Sequence, residues 1–185
     1  MPILGALMGF LLFSSAVAAM PANANAPVIP TQGAYSVTLT GYNAVPDQTD
    51  STPLETASGA YSNPEVVAAR STDLSQQLPF GTIIALYGPS SSENSCGYNV
   101  VAPVIGYRVI ADSMNAQYTD RLDVLFSTKS NYVTSSAEVK NAATILGICK
   151  GVTFRVVGHV DIQHIPQTQT ALAAIVNGTP LALNQ

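Results

Sequence analysis

Gly151-Val152-Thr153-Phe154-Arg155-Val156-Val157-Gly158-His159-Val160-Asp161-Ile162-Gln163 decides the fold class. Val152, Phe154, Val156, Gly158, Val160 and Ile162 fall on one side of a two-residue repeat. Thr153, Arg155, His159, Asp161 and Gln163 mostly fall on the other. That is a strand with one face in a core and one in water. It predicts burial for Val152, Phe154, Val156, Val160 and Ile162, and exposure for His159 and Asp161. His159 and His164 lie five apart on this stretch and so face opposite ways. Without a bulge they cannot share a metal ion, and no structural metal is expected.

Working outward, the same period recurs. Tyr35, Val37 and Leu39 alternate with Ser36, Thr38 and Thr40. Residues 66–69, 82–87 and 122–126 read as further short strands, with Pro79-Phe80-Gly81 as a turn into the second of these. Residues 98–112 are apolar and β-branched, and breaks at Pro103 and Gly106 predict two strands there. Residues 47–59 and 88–94 are polar and turn-rich, hence loops. One helix is marked by a Ser135/Glu138 capping box. Its apolar face would be Val139, Ala142, Ala143 and Leu146, and Gly147 would end it. After Pro166 an apolar patch at 171–176 is compatible with another short helix. There is no internal repeat. Many short strands with little helix predict a mainly β chain folded as a small barrel.

Residues 3–17 are almost wholly apolar, too short to span a bilayer comfortably, and followed by Ala16-Val17-Ala18. This reads as a signal peptide at 1–18 and a Pro/Ala/Asn-rich linker at 19–34, with no stable membrane span after cleavage. No Lys or Arg precedes the apolar run, and a buried core helix or an uncleaved anchor remain the alternatives. Export predicts a secreted, periplasmic or cell-envelope location. It also makes Cys96 and Cys149, the only cysteines, candidates for a disulfide, the alternative being two buried thiols. Only 10% of residues are charged, the net charge is −4 and no basic patch exists, which argues against nucleic acid and fits a neutral or weakly charged ligand. With no Trp, any sugar stacking falls to Tyr or Phe. No cofactor is expected. Asn177-Gly178-Thr179 is a glycosylation sequon, relevant only in a eukaryotic secretory pathway.

The carboxylates say more. Asp123 is embedded in the apolar run Arg121-Leu122-Asp123-Val124-Leu125-Phe126. Burial there would raise its pKa and suit it to general-acid work. The alternative is an Asp123 that faces solvent or pairs with Arg121. Asp112 ends another apolar run, and Asp50 follows Thr49 in the long loop.

Thr38-Leu39-Thr40-Gly41-Tyr42, Thr49-Asp50 and Thr56-Ala57-Ser58-Gly59, in that order, resemble the opening of the three-aspartate (3D) domain family. Val67-Ala68-Ala69 and Leu78-Pro79-Phe80-Gly81-Thr82 fit its next strand and turn. Asp112-Ser113 and Arg121-Leu122-Asp123 resemble its second and third aspartates, so the resemblance covers roughly residues 36–160. It implies a six-stranded double-psi β-barrel at 35–165 with one short helix, followed by a tail at 166–185. It also implies kinship with the membrane-bound lytic transglycosylase A family. By that likeness Asp123 is the catalytic acid/base, with Asp112 and Asp50 in the same groove. Thr49, Ser113, Asn115 and Tyr118 are the residues expected to hold the glycan there. The implied function is that of an exported lytic transglycosylase cleaving peptidoglycan strands. The alternative is a non-catalytic module that binds peptidoglycan or another glycan, or acts as an envelope scaffold. Family members often carry a Gly-rich loop after the second aspartate, and Ser113-Met114-Asn115-Ala116-Gln117-Tyr118 has no glycine.

Overall fold

The computed structural model describes residues 35–90 and 96–178. The expected signal peptide and linker fall outside them, as do parts of the 88–94 loop and of the sequon. In chain order the elements are β1 (Tyr35–Asn43), β2 (Val67–Arg70), β3 (Thr82–Tyr87), α1 (Tyr98–Ile105), β4 (Tyr107–Ser113), β5 (Arg121–Phe126), β6 (Asn131–Val133), β7 (Val139–Asn141), α2 (Ala142–Leu146), β8 (Cys149–His159) and α3 (Gln169–Val176). Six strands close into a barrel in the order β1-β5-β2-β4-β3-β8, and β6 and β7 form a separate hairpin.

The barrel has an internal symmetry that the amino acids do not repeat. Exchanging β1, β2 and β3 with β4, β5 and β8 leaves every neighbour in place. β1 runs parallel to β5 as β2 does to β4, and β1–β8 and β4–β3 are both antiparallel.

Side chains alternate across the barrel wall and feed two buried clusters. Leu39, Ala68, Ile84, Ile110, Leu122, Val124 and Phe154 join the first, which α1 and α2 cover with Val101, Ile105 and Leu146. Val67, Ala69, Ile83, Val109, Ala111 and Leu125 join the second, which α3 covers with Leu172. The helix expected at 171–176 is thus present and packed on the barrel.

A disulfide joins Cys96, just before α1, to Cys149, which opens β8, with Cα atoms 5.3 Å apart. A loop of that length contributes about 4 kcal/mol in the chain-entropy description. Arg108 is the other clamp. It is fully buried, and its guanidinium donates to the carbonyls of Ile105 (2.6 Å), Val104 and Pro64 (2.7 Å each), Leu125 (3.1 Å) and Val67 (3.3 Å). It therefore caps the carbonyl end of α1 and ties it to β2 and β5.

Three local expectations are corrected. Residues 98–105 form a helix, not a strand. Tyr98, Val101 and Ile105 fall on one buried face, and that packing outweighs the β preference of the valines. Pro103 sits inside the helix, and Gly106, at φ 57°, ends it. The Ser135/Glu138 pair starts no helix. Thr134 N–H donates to the Glu138 carbonyl and Ala137 takes φ 62°, so the segment is the turn between β6 and β7. The helix begins only at Ala142, capped by the Asn141 side chain, and Gly147 ends it at φ 63°. Finally, β8 does not keep one face. Ile83 pairs with Gly158 and Ile84 with Val156, so Val157 is an extra residue. Beyond this bulge the alternation flips. Val152 and Phe154 are fully buried, whereas Val156, Val160 and Ile162 are only half-buried; His159 and Asp161 are exposed as expected. The strand stops at His159, and His164 lies in a short turn where its Nδ1 meets Asp161 Oδ2 at 2.9 Å.

Candidate functional site

Four adjacent strands place Thr40, Asp123, Ala69 and Asp112 side by side. Thr40 of β1 pairs with Asp123 of β5, Asp123 with Ala69 of β2, and Ala69 with Asp112 of β4. Regular alternation alone would not bring Asp112 here. β2 pairs Ala68 with Ile110 but Ala69 with Asp112, so Ala111 is an extra residue. This bulge turns Asp112 onto the face that carries Asp123. The two aspartates are two strand spacings apart, roughly 10 Å between Cα atoms. The residue between them is an alanine, whose short side chain leaves room above it.

The two carboxyls are held very differently. Asp112 Oδ2 accepts from the Tyr42 hydroxyl (2.8 Å), and its Oδ1 accepts from the Ala57 and Ser113 N–H groups (2.9 Å each). Asp123 Oδ1 is sealed from solvent and has no hydrogen-bond partner. The residue as a whole keeps some exposure on the groove side. Burial is the main cause that pushes its pKa up, to about 7. Repulsion from Asp112 adds to this, while the Thr40 hydroxyl and the positive charge of Arg121 oppose it. Arg121 itself is laid over the Tyr118 ring, 4.8 Å from its centre, and makes no ion pair with Asp123 among the described residues.

Asp50 stands on the rim, exposed. Its Oδ1 accepts from Thr52 N–H (2.7 Å) and the Thr52 hydroxyl (2.9 Å), and these bonds hold its pKa below the usual value. All three aspartates line one groove of about 600 Å3, together with Thr49, Ser113, Asn115 and Tyr118. The seven residues picked out along the chain thus meet in one place. Thr49 Oγ1 donates to the Val45 carbonyl (2.9 Å), and Asn115 Oδ1 accepts from Gln117 N–H (3.0 Å), so both shape the walls.

Tyr42, Asp47, Gln48 and Glu55 also line the groove and had not been singled out. For Tyr42 a signal existed. It lies two residues after Thr40, hence on the same strand face, in a run already noted for its order. Burial, with Asp112 as its acceptor, raises the Tyr42 pKa far above the usual value and keeps it a donor. For the loop residues no periodicity could have served. Among the described residues no three His, Cys, Asp or Glu side chains are grouped to hold a metal ion. No described helix is long and apolar enough to cross a membrane.

The chain matches no known family model. Nor does it match any curated protein sequence. The functional reading therefore rests on the groove.

Proposed function

We propose that this is an exported, peptidoglycan-active lytic transglycosylase with Asp123 as its single acid/base, built on a double-psi β-barrel of the 3D type. The observation that carries the reading is Asp123: a carboxyl with one sealed, unpartnered oxygen and a pKa raised to about 7, at the floor of an open groove. Leaving a buried polar atom unpaired costs about 1–3 kcal/mol, and such atoms call for an explanation. A group that must first give and then take a proton provides one. The strand order, with two parallel pairs related by exchange of the barrel halves, supports the double-psi reading. The disulfide supports export.

Hydrolysis normally takes two carboxylates flanking the bond. Transglycosylation takes one. Protonated Asp123 gives its proton to the glycosidic oxygen as the bond from that oxygen to the anomeric carbon breaks. The carboxylate then accepts the proton of the sugar's own primary hydroxyl as that oxygen attacks the anomeric carbon and closes an anhydro ring. No water is consumed, and Asp123 ends as it began. A pKa near 7 suits both half-steps at neutral pH. Asp112 is fixed by its three donors and is the neighbour that helps keep Asp123 protonated. Thr49, Ser113, Asn115 and Tyr118 form the walls on which the glycan would rest.

The test is digestion of purified sacculi followed by mass analysis for anhydro-muropeptides. Asp123→Asn keeps the shape but removes the titrating proton, and release should drop by about 10²–10⁴-fold. A parent that binds sacculi without ever cutting them would instead make this a glycan-binding module.

A further inference from the structure

Away from the aspartates lies a second concavity, of about 610 Å3, with no charged side chain among its described lining residues. It opens where the end of β3 and the start of β4 meet α1 and α3. Tyr87, Tyr98 and Tyr107 line it, with Ala102 and Ile105 from α1 and Ala173 from α3. Tyr107 and Asp112 stand near opposite ends of β4, five residues and roughly 17 Å apart, so the two concavities are separate. Its walls are fixed before anything binds. Gln169 Oε1 accepts from Tyr107 N–H (3.0 Å) and its Nε2 donates to the Tyr107 carbonyl (2.8 Å), which ties α3 to β4. The Tyr98 hydroxyl donates to the Leu86 carbonyl (2.9 Å). The Arg155 guanidinium lies 5.6 Å from the centre of the Tyr87 ring, and Tyr87 is 46% exposed.

The sequence before β1 supplies an occupant. Ala26-Pro27-Val28-Ile29-Pro30-Thr31 is uncharged and carries two prolines three residues apart. It lies beyond the expected cleavage at Ala18 and so stays with the exported chain. Such a stretch favours the polyproline II helix, whose three-residue turn puts both proline rings on one side, about 9 Å apart. Aromatic-lined grooves take that shape because it loses little entropy on docking, and tyrosine hydroxyls can donate to its carbonyls. The path is short. Tyr35 pairs with Phe154, and Phe154 with Leu86 of β3, so β1 begins two strand spacings, roughly 10 Å, from the edge of the concavity. Pro30 is five residues before Tyr35, a reach of up to about 17 Å. A tether of this length gives an effective concentration of about a millimolar, at which even a weak contact is populated. We propose that residues 26–31 dock in the tyrosine-lined concavity of their own chain, with Pro27 and Pro30 as the two anchors. The docking does not depend on the glycan reading of the other groove.

The test is NMR on the full chain at low concentration. Cross-relaxation should link the Pro27 and Pro30 ring protons to the Tyr87 and Tyr107 ring protons. Pro27→Ala combined with Pro30→Ala should erase those contacts and shift both tyrosine rings, while the Asp112 and Asp123 amides stay in place. A synthetic peptide of residues 26–31, added separately, should bind the double variant about tenfold more tightly than the parent, whose own segment competes. Tyr87→Ala, at a half-exposed ring that the barrel can lose without unfolding, should remove peptide binding. Absence of the contacts in the parent, equal peptide binding by parent and double variant, or binding that survives Tyr87→Ala would each overturn the proposal. Contacts that grow with protein concentration would put the segment of a second copy there and overturn docking within the chain.

Discussion

Arg108 and Asp123 are both ionisable side chains that the barrel takes out of water, and they are treated in opposite ways. Arg108 points five hydrogen bonds at backbone carbonyls and stays charged at neutral pH, its pKa pushed down only to about 9 by burial. Asp123 has an oxygen that nothing satisfies and a pKa pushed up to about 7. A buried charge that is fully bonded holds structure together. A buried carboxyl with one oxygen left unbonded costs stability, and under the proposed function that cost is the price of its proton chemistry.

The comparison is easiest to break at Arg108. Arg108→Met would strand carbonyls at the end of α1 and between β2 and β5, and should lower stability by about 5 kcal/mol. Urea unfolding measures it. Arg108→Lys keeps the charge but not the fork, and should recover only part of the loss. A mild effect from Arg108→Met, no larger than that of Asp123→Asn, would end the contrast.

Asp123 should show the reverse sign. Its folded pKa of about 7 lies above the ordinary 3.8, so the folded state holds the proton more tightly than the unfolded one. Stability from this group is therefore greatest below about pH 4, falls as pH rises from about 4 to 7, and is level above that. The loss is on the order of 4 kcal/mol. Asp123→Asn should abolish this slope, so that the variant overtakes the parent in stability above neutral pH. Unfolding of both proteins across the pH range checks it, and parallel curves would mean that Asp123 is not perturbed.

A smaller effect sharpens the picture at Asp112. Tyr42→Phe removes one of its three donors and should cost about 1.5 kcal/mol, less than either change above, because the two backbone donors remain. Thermal or urea unfolding reads the difference.

Where the sequence was legible, one local rule governed. Thr82–Tyr87 is a strand as its pattern indicates, and the turn before it closes with Thr82 N–H on the Pro79 carbonyl. Where it was not, tertiary contacts or single extra residues decided. The valines of α1 follow the barrel they cover rather than their own preference. Ser135 and Glu138 fit a helix start and a hairpin turn equally, and only the pairing of Asn131–Val133 with Val139–Asn141 chooses between them. The bulges at Ala111 and Val157 are invisible to a strict two-residue period, yet the first is what sets Asp112 on the face of Asp123. The order of the aspartates could be read from the chain. Their convergence depended on that one inserted residue, and the acidic loop residues Asp47 and Glu55 joined them through loop geometry alone.

The raised pKa of Asp123 can be read without any substrate. Side-chain carboxyl carbons can be followed by NMR through a pH titration, with Asp123→Asn identifying the resonance. A midpoint near 7 is the expected result. A midpoint near the ordinary 3.8 would mean that Asp123 is already ionised at neutral pH, with no proton to give.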